Sequence, residues 1–299
     1  MPRLLLLLFL TIAVGVPVEL KFLRTPSCAY PEPSWLWCTG FESGESLADV
    51  RIFHGEITHE DAAGRNHHGA LRLGGGPVGG GITWALCDGA EPACSPRQFQ
   101  RLHVRAWVRL HPRFEGLRHF IEVGGRDRLH PYGSAGCRPN GVNEYMTFAD
   151  LDRQLRPLLY TYHQDMRCDG RCGRYANVEA RCDRCAAIGF PTCEVRPQCC
   201  WGQAYRPLRQ PEPLGRDAWH CVEVALRVNT PGVPDGSQSL WIDDRPIVAA
   251  RGLRWTSTAD LGVTYVRLQQ YIEAGDVEEP LPIWLDDVVV STRPIGCGG

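Results

Sequence analysis

The sequence has almost no lysine and no large excess of either charge. Its 299 residues include 32 Lys and Arg against 34 Asp and Glu, which gives a formal net charge of −2. Lys21 is the single lysine, so nearly all of the positive charge comes from arginine. Proteins that bind nucleic acid through a basic face need a clear positive excess. The composition therefore argues against a nucleic-acid partner.

Several common catalytic motifs are also missing. The chain contains no Gly-rich phosphate loop, no His-Glu-x-x-His zinc motif and no nucleophile elbow, so nucleotide chemistry and serine hydrolysis rank low. Long helical periods are absent as well, whereas 32 glycines and 23 prolines favour frequent turns. Hydrophobic residues make up 43% of the chain, which is enough apolar material for a sizeable core.

The N-terminal segment is typical of a secretory signal. Residues 1–18 carry one positive charge, at Arg3, followed by an apolar run from Leu4 to Val18. The run is shorter than the roughly 20 apolar residues that span a membrane. We therefore predict a signal peptide over 1–18, a secreted protein (extracellular or periplasmic) and no membrane span after cleavage, with an uncleaved signal anchor as the alternative. Residues 19–299 are predicted to form a single domain.

The 14 cysteines indicate an oxidising compartment. Seven of them lie between Cys168 and Cys200, and seven lie elsewhere. If all of them pair within the chain, the odd number in this cluster requires at least one disulfide to the rest. We predict disulfides rather than a zinc site at Cys182-x-x-Cys185, whose spacing would also suit zinc. Residues 167–210 are rich in Cys and Arg and poor in apolar residues, so a disulfide-rich insertion is predicted there.

Two segments alternate between residues of opposite character. From Leu102 to Leu110 every second residue is apolar, with basic residues and a tryptophan between them, and 219–228 follows a similar pattern. A period of two is typical of a half-buried β-strand. Because Gly/Pro-rich breaks separate the strand-like segments, the sequence predicts an all-β protein, most simply a two-sheet antiparallel jelly-roll sandwich.

Tyr160 and Tyr162 lie two residues apart in another strand-like segment. On a strand they would point to the same side, with their ring attachments roughly 7 Å apart. Two phenols on an open sheet face could accept and donate a proton across a sugar ring. The alternative is that one ring fills the core while the other covers the surface.

Four segments together resemble a known family. They are "WHCVEVALRVNTPGVPDGSQSLWIDDRPIVAARGLRW" (219–255), "IWLDDVVVSTRPIG" (283–296), "FESG" (41–44) and "LYTYHQDM" (159–166). The ordered set resembles the jelly-roll polysaccharide lyases that act on alginate and glucuronan, and the related cellulose-induced-protein (Cip)-like core domain. The resemblance covers residues 38–296 except the Cys-rich stretch. It implies a concanavalin A-like sandwich that engages an extracellular, uronate-containing polysaccharide.

The resemblance implies β-elimination. This reaction needs a positive group that pairs with the sugar carboxylate, a base for the C5 proton and an acid for the leaving oxygen. Tyr160 and Tyr162 match the family's catalytic tyrosines, and Arg126 follows a Gly-Gly pair where the alginate lyases carry a lysine. Arginine suits the carboxylate but stays protonated and is a poor base. A non-catalytic carbohydrate-binding module is therefore the alternative, and a cell-surface domain for protein partners is a second one.

Further substrate-binding candidates lie on neighbouring strand-like segments. Arg105 is on the polar face of 101–110 beside Trp107, and a solvated surface arginine is its alternative role. His163 follows the tyrosine pair, although alternation places it on the opposite face. Aromatic and hydrogen-bonding side chains on one sheet face suit a sugar, unless a loop covers them. Such a set shares one face of the segment 263–272: Tyr265, Arg267, Gln269 and Tyr271.

The resemblance also implies a structural calcium ion. In Cip-like sandwiches an early glutamate and a late aspartate bind a hard cation together with backbone oxygens. Glu42 and Asp286 match those positions in this sequence. The alternative is that they are two exposed carboxylates at strand ends.

Overall fold

Within the described residues of the computed structural model, the regular secondary-structure elements are β-strands. The structure describes residues 28, 31–42, 45, 50–53, 56–60, 64–65, 69–74, 80–85, 98–115, 119–127, 135–168, 170–171, 185, 198–271 and 281–298. The strands are β1 (Trp35–Thr39), β2 (Val50–Phe53), β3 (Glu56–Glu60), β4 (Ala70–Gly74), β5 (Gly81–Ala85), β6 (Arg101–Leu110), β7 (Ile121–Arg126), β8 (Glu144–Leu151), β9 (Pro157–Tyr162), β10 (Gly170–Arg171), β11 (Gln198–Cys199), β12 (Gln203–Tyr205), β13 (Trp219–Arg227), β14 (Gly236–Ile242), β15 (Arg245–Leu253), β16 (Tyr265–Gln269) and β17 (Ile283–Ser291).

Fifteen of these strands form two antiparallel sheets, and β10 pairs with β11 in a separate two-stranded sheet. Sheet 1 has the order β15-β14-β13-β6-β17-β4-β3, and β1 also pairs with β17. Sheet 2 has the order β12-β9-β8-β7-β16-β5-β2. Neighbours in each sheet are often distant in sequence, as in the placement of β6 between β13 and β17. The predicted all-β fold with two antiparallel sheets is confirmed.

The core lies between the sheets and explains the alternation of the sequence. On β6 the apolar positions, such as Val104 and Val108, are fully buried and belong to one cluster with Val123, Leu159 and Leu268 of sheet 2. Strands β6 and β13 were both predicted, and they pair in register from Trp219 with Arg109 to Arg227 with Arg101. Because one face of each strand enters the core, the opposite face of each sheet is the outer face.

Four disulfides lie within the described residues: Cys28–Cys38, Cys137–Cys185, Cys168–Cys200 and Cys221–Cys297. The pair Cys137–Cys185 joins the cysteine cluster to the rest of the chain, as the odd count requires. Cys182 of the alternative zinc motif and the predicted signal peptide over 1–18 lie outside the described residues. In the part that the structure describes, no helix is long and apolar enough to cross a membrane.

Removing the disulfide between β13 and the C-terminal segment should cost more stability than removing the N-terminal one. In the chain-entropy account a longer closed loop restrains the unfolded chain more. We expect the double variant Cys221→Ala/Cys297→Ala to lose about 4 kcal/mol of unfolding free energy, against about 3 kcal/mol for Cys28→Ala/Cys38→Ala, because the sequence separations are 76 and 10 residues. Urea unfolding of both variants measures the difference, and the reverse order would contradict this account.

Candidate functional site

The outer face of sheet 2 gathers most of the predicted site residues. On β7, β8, β9 and β16 every second side chain points away from the core. The side chains between them, such as Val123, Leu159 and Leu268, point into the core. Strands β7, β8 and β9 are neighbours, and Glu122, Phe148 and Tyr160 lie opposite one another across them. The predicted residues on this outer face are Tyr160 and Tyr162 on β9, Arg126 on β7, and Tyr265, Arg267 and Gln269 on β16.

The two tyrosines lie side by side, as their spacing predicts. Their hydroxyl oxygens are 3.4 Å apart and their rings meet edge to face at a centroid distance of 5.5 Å. Tyr160 is half-buried, whereas Tyr162 is 4% exposed and packs with Met146, Met166 and Cys200. Burial, and then the neighbouring Tyr160, raise the pKa of Tyr162 well above its ordinary value. A phenol in this environment stays protonated at neutral pH.

The returning end of the Cys-rich insertion covers Tyr162. Strand β12 is the edge strand of sheet 2 and pairs with β9. The backbone of Cys200 pairs with that of Gly136 in an isolated β-bridge, and its side chain forms a disulfide with Cys168. A side chain at Gly202 would overlap the Tyr160 ring, so glycine is needed for this close approach of the backbone. The insertion therefore lies beside β9 and also packs on the two tyrosine side chains.

Arg126 is paired with a glutamate inside the protein. It is 2% exposed, and its guanidinium forms an ion pair with Glu144, which is 5% exposed and lies opposite Arg126 on β8. The same guanidinium lies 5.2 Å from the centre of the Tyr265 ring. The group predicted to neutralise a sugar carboxylate is therefore already neutralised by a carboxylate of the chain.

Glu122 binds the donors predicted for the substrate on β16. Its side chain is 1% exposed and accepts hydrogen bonds from Tyr265 Oη (2.6 Å), Arg267 Nη1 (2.9 Å) and Gln269 Nε2 (3.2 Å). Burial and the Glu122 charge both raise the pKa of Tyr265. Sequence reasoning missed Glu122, although alternation places it on the same face as Gly124 and Arg126.

His119 was also missed, and it organises an aromatic group on this face. Its ring stacks on Phe148 at 4.2 Å, Tyr160 at 5.1 Å and Tyr271 at 5.4 Å between centroids. We call these four residues the aromatic shelf. His119 has a φ of +58°, which is uncommon outside glycine, and its backbone N–H donates to Asp150 Oδ1 at 3.2 Å. No sequence pattern marked this residue, because its conformation depends on contacts from three other segments.

Arg105 and His163 do not reach this face. Arg105 lies on the outer face of sheet 1, fully buried, and its Nη2 donates to the carbonyl oxygen of Asp287 at 2.9 Å. Burial lowers its pKa to about 10 despite the nearby carboxylates. The structure separates Arg105 from the tyrosine pair because β6 belongs to the other sheet. His163 points to the inner side, 2.8 Å from the Tyr205 hydroxyl, and burial lowers its pKa.

Glu42 and Asp286 lie near each other on the outer face of sheet 1. Their carboxylates accept backbone hydrogen bonds from Gly69 and Arg65, and the Arg65 guanidinium lies 3.3 Å from Asp287. Calcium prefers six to eight oxygen ligands. Among the described residues, no group of three or more His, Cys, Asp and Glu is arranged to hold a metal ion. Calcium binding by Glu42 and Asp286 stays a prediction.

Comparisons with known proteins identify the fold. No protein-family model matches the sequence, and no curated protein matches it. Solved structures do match: alginate lyase vAL-1 from Chlorella virus has a TM-score of 0.56 at 11% identity, covering 82% of this chain and 92% of that chain. The PL-14 alginate lyase from Aplysia kurodai has a TM-score of 0.53 at 14% identity, covering 81% and 90%. Cellulose-induced protein Cip1 has a TM-score of 0.50 at 14% identity, covering 87% and 99%.

These similarities support the polysaccharide lyase-like, Cip-like fold that the sequence motifs predict. At 11 to 14% identity they are evidence for the fold alone. The chemistry of this chain therefore has to be argued from its own side chains.

Replacing Asp286 by Asn should flatten the pH dependence of stability. Burial first, and also the charges of Asp287 and Glu42, raise the pKa of Asp286 from 3.8 to about 6. The folded chain then holds this proton up to a higher pH than the unfolded chain does. The unfolding free energy therefore falls as the pH rises from about 4 to about 6. Chemical unfolding across this range should show the fall in the wild type and in the exposed-site control Asp260→Asn, but not in Asp286→Asn.

Identical pH profiles for Asp286→Asn and the wild type would contradict this account. Repeating the titration with calcium also tests the metal prediction. Without a bound cation the fall should persist, because the charge of the Asp286 carboxylate is then unfavourable at its buried position. A cation bound beside Asp286 would instead remove it.

Proposed function

We propose that the protein binds an extracellular polysaccharide through the outer face of sheet 2 and does not cleave it. The observation that carries this proposal is the pairing of the face's own charges. Arg126 is matched by Glu144, and Arg267 is matched by Glu122. A face whose arginines are already compensated has no strong need for an acidic group from the ligand.

The aromatic shelf supports the binding part of the proposal. Three of its members, His119, Tyr160 and Tyr271, are partly exposed, and their rings overlap at 5.1 to 5.4 Å. Sugar rings present flat C–H faces that stack on such surfaces, and neighbouring polar groups then fix the orientation. The shelf is therefore suited to one or two sugar units laid across β9 and the segment before β7.

The state of the tyrosine pair supports the absence of cleavage. β-Elimination requires a base that loses its proton readily. Tyr162 is buried with a raised pKa, and Arg126 cannot accept a proton. The alginate lyases among the structural neighbours share this fold, but neither Tyr162 nor Arg126 is suited to act as the base.

The compartment forms part of the same proposal. The disulfides of the described residues are compatible with an oxidising environment such as the extracellular space or the periplasm. The apolar run from Leu4 to Val18 supplies the predicted signal. A secreted protein would meet its polysaccharide outside the cell.

A lyase acting on uronate-containing glycans is the second candidate. The specific observation in its favour is the 3.4 Å separation of the Tyr160 and Tyr162 hydroxyls, which would allow one phenol to polarise the other. In this case Tyr160, the more exposed of the two, would meet the substrate directly. The two functions make opposite predictions for removal of its hydroxyl.

Two variants of Tyr160 distinguish the candidates. Tyr160→Phe retains the ring for stacking and removes the proton, whereas Tyr160→Ala removes both. On alginate, glucuronan and neutral glycans we expect no unsaturated product, measured by its ultraviolet absorbance. Binding by calorimetry should be unchanged in Tyr160→Phe and weakened roughly two- to tenfold in Tyr160→Ala. Product formation by the wild type that disappears in Tyr160→Phe would establish the lyase and overturn the proposal.

A further inference from the structure

A row of alternating tryptophan and arginine side chains crosses the outer face of sheet 1. Trp219 on β13 is in register with Arg109 on β6, Arg109 with Trp284 on β17, and Trp284 with Arg72 on β4. All four side chains are partly exposed. This Trp–Arg row lies on the opposite side of the sandwich from the aromatic shelf. The proposed function does not use it.

Arg109 has no carboxylate partner among the described residues, unlike the neighbouring Arg65 and Arg72. Its guanidinium carbon lies 5.2 Å from the centre of the Trp219 ring and 4.6 Å from that of Trp284. Its Nε is buried and has no hydrogen-bond partner in the part of the chain that the structure describes. By contrast, Arg65 and Arg72 lie 3.3 and 3.4 Å from carboxylate oxygens. The row therefore contains one uncompensated cation between two indole faces.

Neighbouring side chains hold this arrangement in place. Glu60 accepts a hydrogen bond from Trp284 Nε1 at 2.8 Å and lies 3.4 Å from Arg72 Nε. The His111 ring also stacks on Trp284, with 6.3 Å between centroids. The indole of Trp284 is thus fixed before any ligand arrives, and a preorganised surface has less entropy to lose on binding.

The chemistry of the row points to an acidic sugar. A guanidinium presents a planar fork of donors that matches a carboxylate or sulfate, and it keeps its charge at all relevant pH values. The flanking indoles offer flat apolar faces to the C–H surface of the same or the next sugar. Trp219 and Trp284 are two strands apart, about 9 to 10 Å, so a glycan crossing the strands could meet both.

We propose that the Trp–Arg row is a second glycan-binding site, selective for an anionic sugar, with Arg109 pairing the anionic group. Either a uronate carboxylate or a sulfate ester fits this chemistry. The competing explanation is that Arg109 only joins two tryptophans through cation–π contacts within the folded protein. The two explanations differ in whether removing Arg109 changes binding or only stability.

The test measures oligosaccharide binding to variants that carry Tyr160→Ala, so that the outer face of sheet 2 contributes little. The probes are alginate oligosaccharides for carboxylate, dextran sulfate oligosaccharides for sulfate, and neutral cello-oligosaccharides. Arg109→Gln is compared with Arg101→Gln, an exposed arginine on the same face of the same strand. Calorimetry gives the affinity, tryptophan fluorescence reports contact with the indoles, and thermal unfolding verifies the fold.

We expect Arg109→Gln to weaken binding of at least one anionic probe roughly tenfold to a hundredfold, while Arg101→Gln and the neutral probe show little effect. The anionic probe that binds identifies carboxylate or sulfate as the ligand group. Arg109→Lys keeps the charge but loses the planar fork, so it should fold and still bind weakly. Equal affinities of Arg109→Gln and Arg101→Gln, or no anionic probe that binds the parent protein, would overturn the proposal. Either result is independent of the outcome at Tyr160.

Discussion

The candidate site depends on the need to compensate a buried carboxylate. Glu122 is 1% exposed in the middle of sheet 2, and an unpaired charge at such a position would be strongly unfavourable. Tyr265, Arg267 and Gln269 supply that compensation from β16. Because these donors satisfy the protein's own charge, they are less available to a ligand. The charges of this sheet face are therefore paired within the protein, which favours the proposed binding over proton transfer.

The two faces of the sandwich consequently offer different chemistry. The outer face of sheet 2 combines paired charges with the aromatic shelf, so apolar stacking dominates there. Sheet 1 carries the Trp–Arg row, in which Arg109 lacks a carboxylate partner in the described part of the chain. The two faces of the protein could bind the neutral and the acidic units of one glycan chain, or they could bind two glycan chains and so link them.

Alternation in the sequence predicted the strands and the shared face of Tyr160 and Tyr162, because a strand has a strict period of two. It could not assign β6 to a sheet, which is why Arg105 was expected near the tyrosines and lies on the other side. The cover over Tyr162 comes from Gly136 and Cys200, residues that are distant along the chain. Likewise, Glu122 and Tyr265 are 143 positions apart, and such a partnership leaves no local pattern.

The most direct test is an experimental structure of the protein with a bound uronate oligosaccharide. The account predicts that a sugar on sheet 2 stacks on Tyr160 and His119, while the pairs Arg126–Glu144 and Arg267–Glu122 stay intact. A uronate carboxylate bound to Arg126 in place of Glu144, with a tyrosine hydroxyl at the sugar C5, would contradict it.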